Sequence, residues 1–221
     1  MLDNFRVYLK NLLASFPAIL FAITIHEFSH GYTAYLMGDD TAKRAGRLTL
    51  NPFKHLDPIG TITLLLFKFG WARPVPVNFW KLRNVKLGII IVSLAGPVSN
   101  LIMAFASGFI FFKFGLYKYS TIITVPYRLN VDPIIMYLCD VLAYFIFFNI
   151  VLAVFNLIPI PPLDGSKIIM AFLPRKYLGW YAKYEIYGVI VLIILLIVGI
   201  IPMIMTPFID YIMDLIRRMA V

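Results

Sequence analysis

Four long apolar segments place this chain among integral membrane proteins. Each is at least as long as the roughly 20 residues that an α-helix needs to cross about 30 Å of hydrocarbon. The composition agrees, because 61% of the 221 residues are hydrophobic and 14% are charged, against about 45–50% and about 25% in globular domains. We predict one all-α, multi-pass domain over residues 1–221 with about four to six transmembrane helices. The predicted spans are about 9–37, 87–112, 134–158 and 187–213, the last bent or ended by Pro202 and Pro207.

The segment between the first two spans, about residues 58–80, is apolar but too short to cross the membrane. It contains Pro74 and Pro76, and proline cannot donate to a sheet ladder, so the stretch suits an extended edge. Non-helical backbone at membrane depth persists only where it lines a cavity or is buried in protein. We therefore predict a re-entrant loop with a short β-strip beside the functional site, formed by Val75, Pro76 and Val77.

The basic residues are distributed unevenly between the two ends of the predicted spans. Thirteen of the 20 lysines and arginines lie in residues 38–86 and 158–186. Because cytoplasmic loops carry the excess of Lys and Arg, these segments are predicted to face the cytoplasm, with both termini outside. These charges lie in short segments between the apolar runs, and orientation in the bilayer explains them better than a nucleic-acid partner does. The net charge of +9 is therefore not taken to indicate a nucleic-acid partner, and the cell membrane is the expected location.

The first span carries the sequence His26-Glu27-Phe28-Ser29-His30 near its C-terminal end. Histidines at i and i+4 share one helix face, at a spacing that lets two imidazoles bind one zinc ion. The glutamate between them can act as general base on a water that the metal activates. Ionisable groups at membrane depth cost roughly 2.5–3.5 kcal/mol each on insertion scales, so they are usually functional. We predict that His26 and His30 bind one Zn²⁺ per chain and that Glu27 is catalytic.

A catalytic zinc usually has three protein ligands and one open position. Asp164 follows the third span on the side of the membrane where the first span ends, so topology alone brings it to the level of the two histidines. The same residue can cap a short helix predicted at about residues 166–172. The alternative is a membrane protease of the His-Glu-x-x-His type that uses a glutamate as its third zinc ligand. Besides Glu27 the sequence has one glutamate, Glu185, and it lies outside any motif of that kind. Asp164 is therefore the predicted third ligand.

Three further polar residues are candidates for substrate or metal-site contacts, each with a second interpretation. His55 can contact the metal site or a reaction intermediate, or it can be an interfacial polar side chain. Asn156 can orient the substrate or the oxyanion, or it can cap the end of the third span. Asn100 can likewise orient the substrate or the oxyanion, or it can satisfy carbonyls that the kink at Gly96-Pro97 frees. The extended strip of residues 75–77 could bind an unwound substrate by strand addition.

Taken together, these motifs resemble the site-2 protease family of intramembrane zinc metalloproteases, peptidase family M50. Residues 26–30 match its His-Glu-x-x-His element, and residues 156–165 match its Asn…Pro…Leu-Asp-Gly element. Residues 51–60, 74–78 and 96–100 resemble elements of its compact members. The resemblance covers about residues 20–170, most of the chain. Some members also carry PDZ or CBS domains, for which this chain has no room.

The resemblance implies a zinc ion bound by His26, His30 and Asp164, with Glu27 catalytic. It also implies a substrate that is another protein's transmembrane segment. The distribution of Lys and Arg predicts that the active site lies nearer the cytoplasmic side. Two other classes stay open: a catalytically inactive scaffold that binds transmembrane helices, and a membrane zinc carrier. The expected partners are thus a membrane-protein substrate and the lipid bilayer, with no oligomeric state predicted.

Overall fold

The computed structural model describes residues 2–67, 70–123, 131–174 and 178–220, and their regular secondary structure is helical. This confirms the all-α prediction for the described part of the chain. Three short 3₁₀ helices cover Pro52–Lys54, Phe79–Lys81 and Leu116–Tyr119. The α-helices are α1 (Leu2–Leu36), α2 (Thr41–Arg44), α3 (Pro58–Phe67), α4 (Val85–Lys113), α5 (Pro133–Asn156), α6 (Asp164–Met170), α7 (Leu178–Ile197) and α8 (Ile200–Ala220).

Three of these helices are long and apolar enough to cross a membrane, namely α1 over Phe5–Leu36, α4 and α5. A fourth candidate is the pair Glu185–Ile197 and Ile200–Ala220, which qualifies only when its two helices are taken together and which is bent by 75°. The described residues therefore hold three candidate spans, or four if the bent pair is one span, and only the larger number falls within the predicted four to six. The chain is a multi-pass integral membrane protein.

The break in the fourth predicted span lies at Val198 and Gly199, not at a proline. Gly199 has a φ of +83°, in the left-handed region that glycine occupies at little steric cost. Pro202 lies in the first turn of α8, where backbone N–H groups have no partner within the helix. Pro207 lies inside α8, which continues past it. The glycine, rather than either predicted proline, therefore marks the bend.

Helices α1, α4 and α5 pack against one another and form the centre of the molecule, with α6 and α8 added against α4. On α1, Ala14, Ala18 and Ala22 are buried at four-residue spacing, and small residues on one face let membrane helices approach closely. Larger side chains fill the core between α4, α5 and α8, including Phe111, Ile146, Ile150 and Ile216. This packing brings the histidine face of α1 against the middle of α4.

The structure does not support a re-entrant loop with a β-strip between the first two spans. The described residues there contain the helix α3 and a single antiparallel bridge between Leu56 and Ala72. Residues 74–78 belong to no strand: Pro74 and Pro76 have no N–H group, and the N–H groups of Val75 and Asn78 bond side chains. The Val75 N–H donates to Glu27 Oε2 at 2.8 Å, and the Asn78 N–H donates to Asp39 Oδ2 at 2.6 Å. The predicted β-strip is therefore wrong.

Candidate metal centre

The three predicted ligands converge on one point. His26 Nε2 lies 3.0 Å from His30 Nε2, and Asp164 Oδ2 lies 3.1 Å and 3.0 Å from these two atoms. All three residues are buried, at 5%, 8% and 3% exposure. In the described part of the chain they form a group of side chains that could hold a metal ion.

Local structure explains how each side chain reaches this point. His26 and His30 lie one turn apart on α1, and their rings meet edge to face with centroids 4.6 Å apart. Asp164 is the first residue of α6 and follows Leu163, which occupies the N-cap position. Asp164 is thus not the N-cap residue that the sequence suggested. A carboxylate in the first turn is nevertheless favourable at the positive end of the helix dipole.

Asn100 fixes the orientation of the His26 ring. The Asn100 Oδ1 atom lies 2.6 Å from His26 Nδ1. The amide nitrogen of Asn100 donates to the Ala22 carbonyl at 3.0 Å and to Asn149 Oδ1 at 2.7 Å. Both of these partners are acceptors, so Oδ1 is the amide atom that faces His26. The Nδ1 atom of His26 must then carry the proton, which leaves Nε2 with its lone pair toward Asp164.

His30 is held in the same tautomer by the backbone of α4. Its Nδ1 atom lies 2.6 Å from the Val92 carbonyl oxygen, which can only accept. When both rings are neutral, these tautomers turn the Nε2 lone pairs of His26 and His30 toward each other and toward a carboxylate oxygen. Three acceptors this close are stabilised by a bound cation. Two imidazole nitrogens and one carboxylate oxygen form a donor set of catalytic zinc sites, so the residues present fit Zn²⁺.

Helix α4 approaches these ligands through a glycine. A Cβ atom at Gly96 would lie 2.5 Å from His30 Nε2 and 2.7 Å from His26 Nε2. Real Cβ atoms do not come this close to other heavy atoms, and the histidine rings are held from behind by hydrogen bonds. The absent side chain therefore leaves the space that the convergent donor atoms require.

Lys167 supports the remaining oxygen of Asp164. Its Nζ atom donates to Asp164 Oδ1 at 2.9 Å, three residues along α6. Burial lowers the pKa of the Lys167 ammonium, but the Asp164 charge and hydrogen bond outweigh it and raise that pKa above its ordinary value. Lys167 is therefore charged and occupies Oδ1, which leaves Oδ2 to face the histidines.

The Glu27 carboxylate lies between α1 and the extended segment of residues 74–78. Its Oε2 atom accepts the Val75 N–H. Val75 itself is buried, whereas Pro76 and Val77 are half-buried. The far end of the segment is held by Asp39, which is fully buried and accepts the N–H groups of Thr41 and Asn78. Two carboxylates thus fix this segment beside the HEFSH motif.

The two other predicted polar residues have their described contacts elsewhere. His55 is buried, and its Nε2 atom donates to the Thr49 carbonyl at 2.8 Å, while its Nδ1 atom has no hydrogen-bond partner. Asn156 donates from its side chain to the Leu152 carbonyl at 3.0 Å, one turn back in α5. Of the three polar candidates, the described contacts bring only Asn100 to the histidines.

Two contributors to the centre were not singled out from the sequence. Asn149, whose Oδ1 atom accepts a hydrogen bond from the Asn100 amide, is a buried polar residue inside the apolar third span. Such a residue is itself a functional signal. Lys167 follows Asp164 by three residues, a spacing at which side chains on a helix can pair.

Comparisons with known proteins agree with this geometry. A family model described as "Peptidase family M50" matches residues 14–199. The chain is 41% identical over 197 residues to "Putative zinc metalloprotease YwhC" of Bacillus subtilis (strain 168), covering 89% of this chain and 86% of that protein. It is 29% identical over 185 residues to "Putative zinc metalloprotease Rip2" of Mycolicibacterium smegmatis, covering 80% and 64%.

A further relative, the Rip2 protein of Mycobacterium tuberculosis (strain Erdman), is 32% identical over 152 residues, covering 66% of this chain and 52% of that protein. No solved structure matched the chain. The relatives are named as zinc metalloproteases, which is consistent with one Zn²⁺ at the centre formed by His26, His30 and Asp164. The match to the family model extends over most of the sequence, and the chain therefore belongs to peptidase family M50.

Proposed function

We propose that the chain is an intramembrane zinc metalloendopeptidase of the site-2 protease type. Its substrates are other membrane proteins, cleaved in or near a transmembrane segment. The observation that carries this proposal is the convergence of His26, His30 and Asp164 next to Glu27, on a helix that is long and apolar enough to cross a membrane. Family membership supports the hydrolytic chemistry.

His26, His30 and Asp164 are the residues that would hold the metal. A bound zinc ion supplies Lewis-acid activation of water and stabilisation of negative charge on the substrate carbonyl oxygen. Glu27 takes the proton from the attacking water and returns it to the leaving amine. Because Oε2 of Glu27 accepts the Val75 N–H, that carboxylate is oriented by the backbone rather than free to rotate.

A transmembrane substrate must be unwound before it is cleaved, since its carbonyl groups are engaged in helical hydrogen bonds. The extended residues Val75, Pro76 and Val77 lie beside Glu27 and are part of no sheet, so they can pair with an unwound substrate. Asn156 and His55 are proposed to contact the substrate or the reaction intermediate from the end of α5 and from the segment after α2. The active site is proposed to lie nearer the cytoplasmic face of the cell membrane.

A cleavage assay with the full chain in detergent or liposomes tests this proposal. It compares the wild type with Glu27→Gln, against a panel of single-span substrates, before and after zinc chelation. Glu185→Gln is the matched control, because it makes the same chemical change at an exposed glutamate of α7.

We expect wild type and Glu185→Gln to cleave, and chelated protein to recover on adding zinc. Glu27→Gln should keep its zinc and lose cleavage. Cleavage by Glu27→Gln at the wild-type rate would show that the mechanism is wrong. A protein that binds zinc and single-span substrates but cleaves none of them would indicate the inactive scaffold instead, and vectorial zinc uptake into liposomes would indicate the carrier.

A further inference from the structure

A cationic cavity lies beside the extended segment of residues 74–78 and includes Pro74 and Pro76 in its wall. It has a volume of about 460 Å³ and is lined by three basic residues, Arg47, Lys54 and Arg73. Among the described residues that line it, none is acidic. The remaining wall includes Phe53 and the prolines at positions 74 and 76. The cavity therefore concentrates positive charge that its own lining does not neutralise.

Arg47 is the buried member of this group. It is only 8% exposed, and its Nη2 atom donates to the Arg73 carbonyl at 2.6 Å. Its Nε atom is buried and has no hydrogen-bond partner. Burial, and next the charge of Arg73, lower the pKa of the Arg47 guanidinium, while the Glu27 charge opposes this shift. A buried cation with an unused donor is unfavourable unless an anion joins it.

The cavity also has features of a membrane interface. One wall contains Pro74 and Pro76, and Val75 between them packs at Gly31 of α1, next to the HEFSH motif. Large aromatic rings are exposed on the surrounding segment: Phe53 at 77%, Trp71 at 50% and Trp80 at 67%. Tryptophan rings such as these two concentrate at the level of lipid headgroups. Most of the chain's Lys and Arg also lie in the segments on this side.

We propose that this cavity binds the phosphate group of an anionic phospholipid. The guanidinium groups of Arg47 and Arg73 provide planar donor pairs that match phosphate geometry, and Lys54 adds a point charge. Basic cavities at membrane surfaces recognise anionic headgroups in this way. An acidic side chain of a substrate offers a related charge, but the exposed aromatic rings around the cavity favour a lipid. This binding does not depend on catalysis.

Lipid binding to the detergent-solubilised full chain tests the proposal. Phosphatidylglycerol or phosphatidylcholine with brominated acyl chains is titrated, and quenching of tryptophan fluorescence reports binding. The variants are Arg47→Met and Lys54→Gln, and Lys54 is exposed, so its replacement leaves the core intact. Arg83→Gln is the control, because Arg83 is an exposed arginine of the same segment outside the cavity.

We expect the wild type to bind phosphatidylglycerol in preference to phosphatidylcholine. Each cavity variant should weaken phosphatidylglycerol binding by about fivefold, while Arg83→Gln leaves it within about twofold. Sodium phosphate should compete better than sodium chloride of equal ionic strength. If Arg47→Met does not fold, Lys54→Gln decides the result.

Several outcomes would overturn the proposal. Equal binding of both lipids, or an equal loss in Arg83→Gln and Lys54→Gln, would reduce the effect to general surface charge. Binding of inorganic phosphate without binding of phosphatidylglycerol would assign the cavity to a soluble anion. A single-span peptide with an acidic residue that binds through Arg47 and Lys54, when phosphatidylglycerol does not, would assign it to the substrate.

Discussion

The Asn100 side chain on α4 holds His26 on α1 in the tautomer that metal binding requires, through a 2.6 Å contact between Asn100 Oδ1 and His26 Nδ1. The amide cannot turn around without breaking its bonds to the Ala22 carbonyl and to Asn149. Partners of this kind orient metal-binding histidines and raise their basicity. The candidate ligands and the side chains that orient them thus come from four helices, α1, α4, α5 and α6.

Replacing Asn100 by alanine should weaken zinc binding by about 10–100-fold, because His26 loses the acceptor that fixes its ring. Competition with a fluorescent zinc chelator measures this affinity. Asn156→Ala is the matched control, since the Asn156 amide bonds a carbonyl of its own helix and its loss should leave zinc binding unchanged. Wild-type affinity in Asn100→Ala would contradict the role assigned to the amide.

Replacing Gly96 by alanine should abolish zinc binding. The added methyl group would come within 2.5–2.7 Å of the two Nε2 atoms, so it would displace the rings from the metal position. Val98→Ala tests the same helix at a residue that is 46% exposed, and it should bind zinc normally. Zinc content after purification distinguishes the two variants. A Gly96→Ala protein with full zinc would show that α4 does not approach the ligands this closely.

Replacing Lys167 by methionine should loosen Asp164, because Oδ1 loses its 2.9 Å donor and the carboxylate gains freedom to rotate. We expect zinc affinity to fall by about tenfold and the visible spectrum of the cobalt-substituted protein to change. Lys113→Met makes the same change at an exposed lysine at the C-terminal end of α4. It should alter neither the zinc affinity nor the cobalt spectrum. An unchanged cobalt spectrum in Lys167→Met would argue that Lys167 does not position the ligand.

Replacing Asp39 by asparagine should destabilise the segment of residues 74–78. A buried donor left without its acceptor costs about 1–3 kcal/mol, and Asp39 accepts the N–H groups of Thr41 and Asn78. The thermal midpoint should fall while the zinc content stays the same. Asp40→Asn is the neighbouring control, because Asp40 forms a surface ion pair with Arg44 and such pairs contribute little. Equal midpoints for the two variants would contradict the anchoring role.

The convergence of the metal ligands could be predicted from the sequence because two simple constraints determine it. Helical spacing puts His26 and His30 on one face, and the thickness of the bilayer puts Asp164 at their level. The structure brings the three side chains together as these constraints require. Neither constraint depends on the details of packing, so the pattern of apolar segments was sufficient.

The partners of the extended segment could not be predicted in this way. Prolines at positions 74 and 76 indicated an extended backbone, and the sequence suggested a β-strip. The N–H groups instead bond Glu27 and Asp39, and which acceptor they meet depends on how the segment packs on α1. The bend in the last predicted span was similarly assigned to prolines, whereas a positive φ at Gly199 determines it.

The zinc content of three purified proteins tests the central claim most directly. Wild type, Glu27→Gln and Asp164→Ala are measured by mass spectrometry of the metal, with Asp132→Ala as a control at the exposed N-cap of α5. We predict about one zinc per chain in all except Asp164→Ala, which should lose it. Full zinc in Asp164→Ala, or none in the wild type, would contradict the metal centre formed by His26, His30 and Asp164.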